Sequence, residues 1–374
     1  MKLFKSLLVA PAALGLLAPM SAMANEINLN DVSGYSSSKD GINISDFNSA
    51  KELNTLIAGG EGMVNDHDSD SFSATTSMKG AAEFLIGAKS NGDSDAEEAV
   101  MALYHYTFDL NTSFTGDDKL NVEISAGNQT GTNTLGSALD FGEPSGDQLR
   151  IEDLNYTFPL GEWKLSFGES MDASKNWPNA CAVNNIYDDL GDCGAANSVD
   201  LSGDISFSAG RSFGDGWDVG VGISSNDGET TSGMFTKEGA DYYGAAIGYS
   251  ADNYAVTVAY SDKDTTSYWG TTASYSFDGG ATISGGVEFG NPESSSDDTT
   301  QYVVGVSSDV GEGTLSAALG TKAAYTDSDT EHYAYDVSYS YPVNDSMTVT
   351  PFFFIVENAG EDDNGFGVIT SFKF

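Results

Sequence analysis

The chain has 374 residues, 56 acidic against 15 basic, with a net charge of -41 and a pI near 4.1. So acidic a surface repels nucleic-acid phosphates, which excludes DNA and RNA as partners, and 11% aromatic residues exclude a disordered chain. Two cysteines rule out a disulfide-built scaffold or a Cys-rich metal site, and three histidines (His67, His105 and His332) leave little for imidazole catalysis.

Lys2 and Lys5 precede an apolar run, Leu7–Met20, which ends in Ala22-Met23-Ala24. Basic start, apolar centre and small residues for a peptidase make up an export signal, predicted over residues 1–24. Pro11, Gly15 and Pro19 break the run, which also falls short of the ~20 apolar residues of a spanning helix. Residues 25–70, rich in Ser, Asn and Asp, read as a short N-terminal periplasmic extension or a lumen plug. One amphipathic stretch, Ile44–Ile57, lies within them, with Ser45 as a helix cap.

From residue 71 to 374 the pattern changes to alternation, the signature of strands with two different faces. Val100, Ala102, Tyr104, Tyr106, Phe108 and Leu110 alternate with Met101, Leu103, His105, Thr107, Asp109 and Asn111. Tyr333, Tyr335, Val337, Tyr339 and Tyr341 alternate with Ala334, Asp336, Ser338 and Ser340. About sixteen such segments follow one another, joined alternately by tight turns such as Gly161-Glu162 and Asn344-Asp345 and by longer polar loops. The compact join at Asp262–Asp264 is the clearest exception. Lipid offers no partner for backbone N–H and C=O groups, so a sheet crosses it only when closed. The expected fold is therefore all-β: a transmembrane antiparallel β-barrel of about sixteen strands in the bacterial outer membrane, with outer-membrane lipid as its surroundings. Trp163, Trp217, Tyr249, Tyr254, Phe277 and Phe289 suit interfacial girdles, and Phe374 suits the end of a last barrel strand. A soluble β-sandwich needs no girdles, and a β-solenoid would show a fixed repeat, which is absent.

The longest connection, about residues 170–203, follows the fifth segment. From Glu169 to Asp200 it carries Glu169, Asp172, Asp188, Asp189, Asp192 and Asp200 against the single base Lys175. Acids of one sign in a narrow pore admit cations and repel anions, whereas acids in an outer loop are merely solvated. Cys181 and Cys193 enclose part of this loop. In an exported protein they are expected to pair, at about 3 kcal/mol on a chain-entropy argument. Trp177 offers one aromatic platform of the kind sugar channels use. The phase of the strands turns Lys79, Glu83, His105, Asp109, Glu123, Asp153, Lys164, Asp218, Glu288 and Asp336 inward, together with Lys119 and Lys373. No cofactor motif or metal-ligand spacing is present, so no cofactor or metal is expected. No catalytic triad motif appears either, and an outer-membrane hydrolase built on His105 or His332 is the weaker rival.

Phe72–Ala88 (FSATTSMKGAAEFLIGA), Tyr104–Leu120 (YHYTFDLNTSFTGDDKL) and Asn155–Gly161 (NYTFPLG) resemble the outer-membrane porins of cyanobacteria. These are the Som-type proteins, also labelled iron-uptake porins and grouped with carbohydrate-selective OprB-like porins. The resemblance implies a sixteen-stranded, usually homotrimeric, passive channel for inorganic ions and small hydrophilic solutes, with sugars or surface binding as alternatives. It also implies that the long loop folds inward. Glu169, Asp172, Lys175, Trp177, Asp188, Asp189 and Asp192 then become constriction candidates and cations the preferred permeants. Family members carry a wall-binding segment and a coiled coil before the barrel; residues 25–70 are too short for that tether.

Overall fold

The computed structural model describes residues 75–90, 99–129, 134–142 and 145–374. The expected export signal and the extension or plug lie outside the described residues. Seventeen strands follow in order: β1 (Thr75–Ser90), β2 (Met101–Ser113), β3 (Lys119–Gly127), β4 (Arg150–Leu160), β5 (Trp163–Glu169), β6 (Ile205–Phe213), β7 (Trp217–Ser225), β8 (Asp241–Ser250) and β9 (Tyr254–Lys263). After them come β10 (Thr266–Ser276), β11 (Ala281–Pro292), β12 (Thr299–Val310), β13 (Gly313–Thr321), β14 (Tyr325–Thr326), β15 (Tyr333–Asn344), β16 (Met347–Val356) and β17 (Asp363–Lys373). Sixteen of them form the barrel. The two-residue β14 only extends the pairing of β12 within a loop.

Each barrel strand pairs antiparallel with its neighbours in the chain, and β1 pairs with β17 from Ala81↔Lys373 to Ser90↔Asn364. Gly80 N donates to Phe374 O at 2.7 Å and Phe374 N to Gly80 O at 2.9 Å, so the closing seam runs to the last residue. The sheet therefore has no free edge, as a spanning sheet requires.

Tight connections gather at one end of the barrel. At Gly161 (φ 64°) and Gly216 (φ 86°) the backbone enters the left-handed region that glycine adopts without strain. The long connections gather at the other end, apart from the two-residue join between β9 and β10.

The outward face carries a middle band of exposed aliphatic side chains, among them Val221, Ile247, Val258, Ile283, Val304 and Leu319. Aromatic rings flank it. Toward the tight turns, Trp217 lies 5.0 Å from Tyr249, which lies 5.9 Å from Tyr254; toward the loops, Tyr260 lies 4.9 Å from Trp269. These are the apolar band and girdles of a bilayer-spanning barrel. An arginine at Val304, near the middle of β12, should cost about 2–4 kcal/mol in bilayers. Denaturant unfolding from lipid vesicles measures it, and a loss under 1 kcal/mol would place Val304 away from lipid.

Candidate functional site

The loop between β5 and β6 turns into the barrel. Its two stems pair through Ser170 N to Asp204 O and Ala173 N to Leu201 O, both 2.6 Å. From there the outgoing arm runs round the inner wall. Asn176 N donates to Ser208 Oγ (3.1 Å), Ala180 N to Thr272 Oγ1 (3.2 Å) and Ala182 N to Ser284 Oγ (2.9 Å). It ends on β15, where Ile186 N and Tyr187 N both donate to Asp336 Oδ2, at 2.6 and 3.0 Å. The returning arm holds a 3-10 segment, Asp188–Gly194, and a one-turn helix, α2 (Ala196–Val199). Glu288 on β11 accepts from Asn197 Nδ2 (2.9 Å) and Ser198 N (2.7 Å). A disulfide between Cys181 and Cys193 ties the arms together, the pairing expected of two cysteines in an exported protein.

The wall makes room for this loop with small residues. A methyl group added at Gly210, Gly220, Gly222, Gly244, Gly270 or Gly286 would overlap the loop at Asn176, Trp177, Ala173, Trp177, Ser198 or Cys193 respectively. Trp177 lies over Gly220 and Gly244 and packs beside Ala246 and Ala259.

A second loop, between β3 and β4, also folds inward. Its one-turn helix α1 (Leu135–Ala138) is capped by Thr134 and buries Leu135 completely. Leu135 and Phe141 join Leu85, Leu103, Phe352 and Phe354 from the wall, and Tyr187 and Leu190 from the long loop, in one apolar cluster. The Tyr187 and Phe354 rings stand 5.4 Å apart.

Between them the two loops leave open the part of the β1 to β4 wall nearer the tight turns. Here Lys79 pairs with Asp109, Asp109 with Glu123, and Glu123 with Asp153, so three carboxylates stand directly opposite one another on neighbouring strands. Lys175 reaches across from the loop to Asp153 at 3.5 Å, so a lysine closes each end of the row. Beneath it, Asn121 Nδ2 donates to Asp109 Oδ1 (2.8 Å) and Asn155 Nδ2 to Asp153 Oδ2 (2.7 Å). Above it opens a cavity of about 430 Å³ lined by Glu83, His105, Glu123, Asp140, Glu152 and Asn185, with Phe141, Ile186 and Ile369 on its apolar side.

The candidate residues divide accordingly. Asp109, Glu123 and Asp153 form the acidic row, and Glu83 and His105 line the cavity above it with Glu123. Lys119, Lys164 and Lys373 sit at the tight-turn ends of their strands, as does Asp218, which accepts from Ser212 Oγ. Glu288 and Asp336 also point inward, but the loop covers them and uses them as anchors; they are 2% and 5% exposed, so neither lines the open path. Glu169 departs from expectation more sharply. It pairs with Leu154 and Ile205 in the phase of the exposed Phe167, so it faces away from the lumen. Trp177 is half-buried and lies against the wall at Gly220 and Gly244.

Asp172, Lys175, Asp188, Asp189 and Asp192 do ride on the infolded loop. Asp189 accepts from Tyr187 Oη at 2.8 Å and Asp192 from Asn179 Nδ2 at 2.9 Å. Enclosure by the barrel, with Asp200 next in effect, pushes the Asp172 carboxyl up to about 6 against the pull of Lys175. Enclosure and then Asp140, Asp189 and Asp192 push Asp188 up to about 6 as well. Sequence reasoning missed Glu152 and Asp140 in the cavity, and Lys263, whose Nζ reaches Asp200 O at 3.3 Å.

A closed, lipid-banded barrel whose own loops narrow an acidic lumen is a membrane channel. The chain belongs to the Gram-negative porin family, whose model it matches over residues 12–353, and is thus a channel of the bacterial outer membrane rather than an enzyme. Solved structures that share the fold include the anion-selective porin from Comamonas acidovorans, with a TM-score of 0.55 and 13% identity over 81% of this chain and 100% of that one. A triple mutant of the Rhodopseudomonas blastica porin gives 0.52 and 13% over 80% and 100%. No curated protein matches the chain in sequence.

If the glycine track seats the loop, Gly222→Val should cost about 1–3 kcal/mol of docking by overpacking. The expected result is a barrel that still assembles, with noisier conductance and faster proteolysis between Cys181 and Cys193. Unchanged protease resistance would count against the track.

Proposed function

We propose that the chain forms a passive, cation-preferring diffusion channel for inorganic ions and small hydrophilic solutes. The observation that carries this reading is the Asp109–Glu123–Asp153 row on the uncovered wall, with Glu83, Asp140 and Glu152 above it. Like charges directly opposite on neighbouring strands destabilise a sheet. Beside an open lumen they also create a negative field that concentrates cations and repels anions. Anion selectivity is a property of the Comamonas porin; only the fold is common at that identity, and the wall of this chain is acidic.

A homotrimer is the assembly we favour. β5 has only seven residues, against the ~9–11 a tilted strand needs to cross a bilayer. The outward groove beside it is lined by Phe114, Leu154, Phe167 and Phe207. A neighbouring copy on this low side would shield it from lipid headgroups. The stretches at 72–88, 104–120 and 155–161 favour the cyanobacterial Som-type porins as the finer family assignment. Sugar selectivity is the weaker reading, since Trp177, its one aromatic candidate, lies half-buried against the wall.

Planar-bilayer recording under a KCl gradient tests the reading. Stepwise channels whose reversal potential favours K⁺ over Cl⁻ are expected, and folded, inserted protein that favours Cl⁻ would refute it. The preference should also depend on pH in a definite direction. A carboxyl titrating at about 6 is about nine-tenths ionised at pH 7 and about one-tenth at pH 5. Acidification from pH 7 to 5 therefore removes negative charge at Asp172 and Asp188. K⁺ preference should fall across that window, and a flat profile would place both groups away from the ion path.

A further inference from the structure

Strand β4 does not alternate throughout. Glu123 on β3 pairs with Asp153, but the next residue, Ile124, pairs with Ile151, so Glu152 is an extra residue in β4 at this point of the register. This is a β-bulge, an extra residue that re-aims the side chains around it. Below the bulge, Asn155 and Thr157 are buried inside the barrel, while Leu154 is exposed on the outer face. Beyond it, Ile151 is again exposed, at 67%. Ile151 and Leu154 are three apart and share the outer face, which simple alternation forbids. Between them, Glu152 and Asp153 both turn inward. The Ser125 hydroxyl donates to the Glu152 carboxylate, and Glu152 lines the cavity together with Glu83, Glu123 and His105.

Without the bulge, residue 152 would share the phase of Leu154 and point outward. The bulge therefore moves one carboxylate from the outer face into the lumen, one level above the acidic row.

We propose that Glu152, delivered to the lumen by the β4 bulge, is a selectivity-determining residue of the channel, setting its preference for cations together with Glu123. The proposal rests on the cation-preferring reading above. Its physical basis is that a carboxylate beside a narrow path raises the local concentration of cations and lowers that of anions.

The test uses the full chain in planar bilayers at pH 7 under a KCl gradient. Glu152→Gln keeps the shape and the hydrogen-bond acceptor for Ser125 while removing the charge. We expect the K⁺/Cl⁻ permeability ratio to fall by about twofold or more, since the field at the path loses one of its few charges. Glu312→Gln, in the tight turn between β12 and β13, should leave the ratio unchanged. A wild-type channel that prefers K⁺ and a Glu152→Gln channel with the same ratio would overturn the role of Glu152 and leave the cation reading standing. A wild-type channel with no preference would overturn both.

A second variant keeps the placement testable should Glu152→Gln assemble poorly. The chain's two cysteines are joined in the disulfide, so Glu152→Cys introduces a single reactive thiol. A membrane-impermeant, positively charged thiol reagent should modify it in inserted channels and reduce K⁺ current. Protection from the reagent in inserted protein would put residue 152 on the lipid face and overturn the proposal.

Discussion

Everything in this molecule follows from one constraint: inside lipid, a backbone N–H or C=O group finds a partner in the sheet or none at all. The seam between β1 and β17 is where that constraint is met last, and it is paired from Ser90 down to Phe374. Once the sheet is closed, the two-residue period of the strands sorts side chains without exception other than bulges. Apolar residues on one side meet lipid, and whatever stands on the other side meets the lumen.

Closure with sixteen strands creates a second problem, because the interior of so wide a barrel exceeds what wall side chains can fill. The protein fills part of it with its own chain, and the wall composition records where. On β6 to β13 many of the inward positions are Gly, Ser, Thr or Ala, leaving room for the long loop and hydroxyls to accept its backbone N–H groups. Where the loop comes to rest, buried carboxylates receive its backbone donors, Glu288 under α2 and Asp336 under Tyr187. The apolar cluster around Phe354 and Leu135 fastens the far end by burial instead. The wall of β1 to β4 keeps large charged side chains around the cavity that the two loops leave there.

The strands were legible from sequence because alternation, tight turns and girdle aromatics are local signals, and the expected sixteen are the sixteen that close the barrel. The site was legible only in part. Which acids face inward could be counted along a regular strand, and so Glu83, Asp109, Glu123 and Asp153 were found. Glu169 was assigned to the lumen because its loop enters there, yet it still belongs to the outward phase of β5. Glu152 was missed for the opposite reason: a bulge breaks the count, and nothing local in Arg150-Ile151-Glu152-Asp153 marks which residue is the extra one. The helix α1 and the anchoring roles of Glu288 and Asp336 depend on contacts between residues distant in the chain, which periodicity does not encode.

The contrast between Glu288 and Glu123 shows how position in the lumen decides the role of one residue type. Both are glutamates on inward-facing strand positions. Over Glu288 the loop supplies an amide N–H and a side-chain amide, so its charge is spent holding the polypeptide in place. Glu123 instead borders the open cavity. Its cross-strand neighbours are Asp109 and Asp153, an arrangement that costs stability in any sheet. Lys79 and Lys175 offset the repulsion at the ends of the row but leave its centre negative. A wall optimised for stability alone would hold Ser or Thr there, as it does under the loop. The repulsion persists on the part of the lumen left open to solutes, which is where a field can act on what passes.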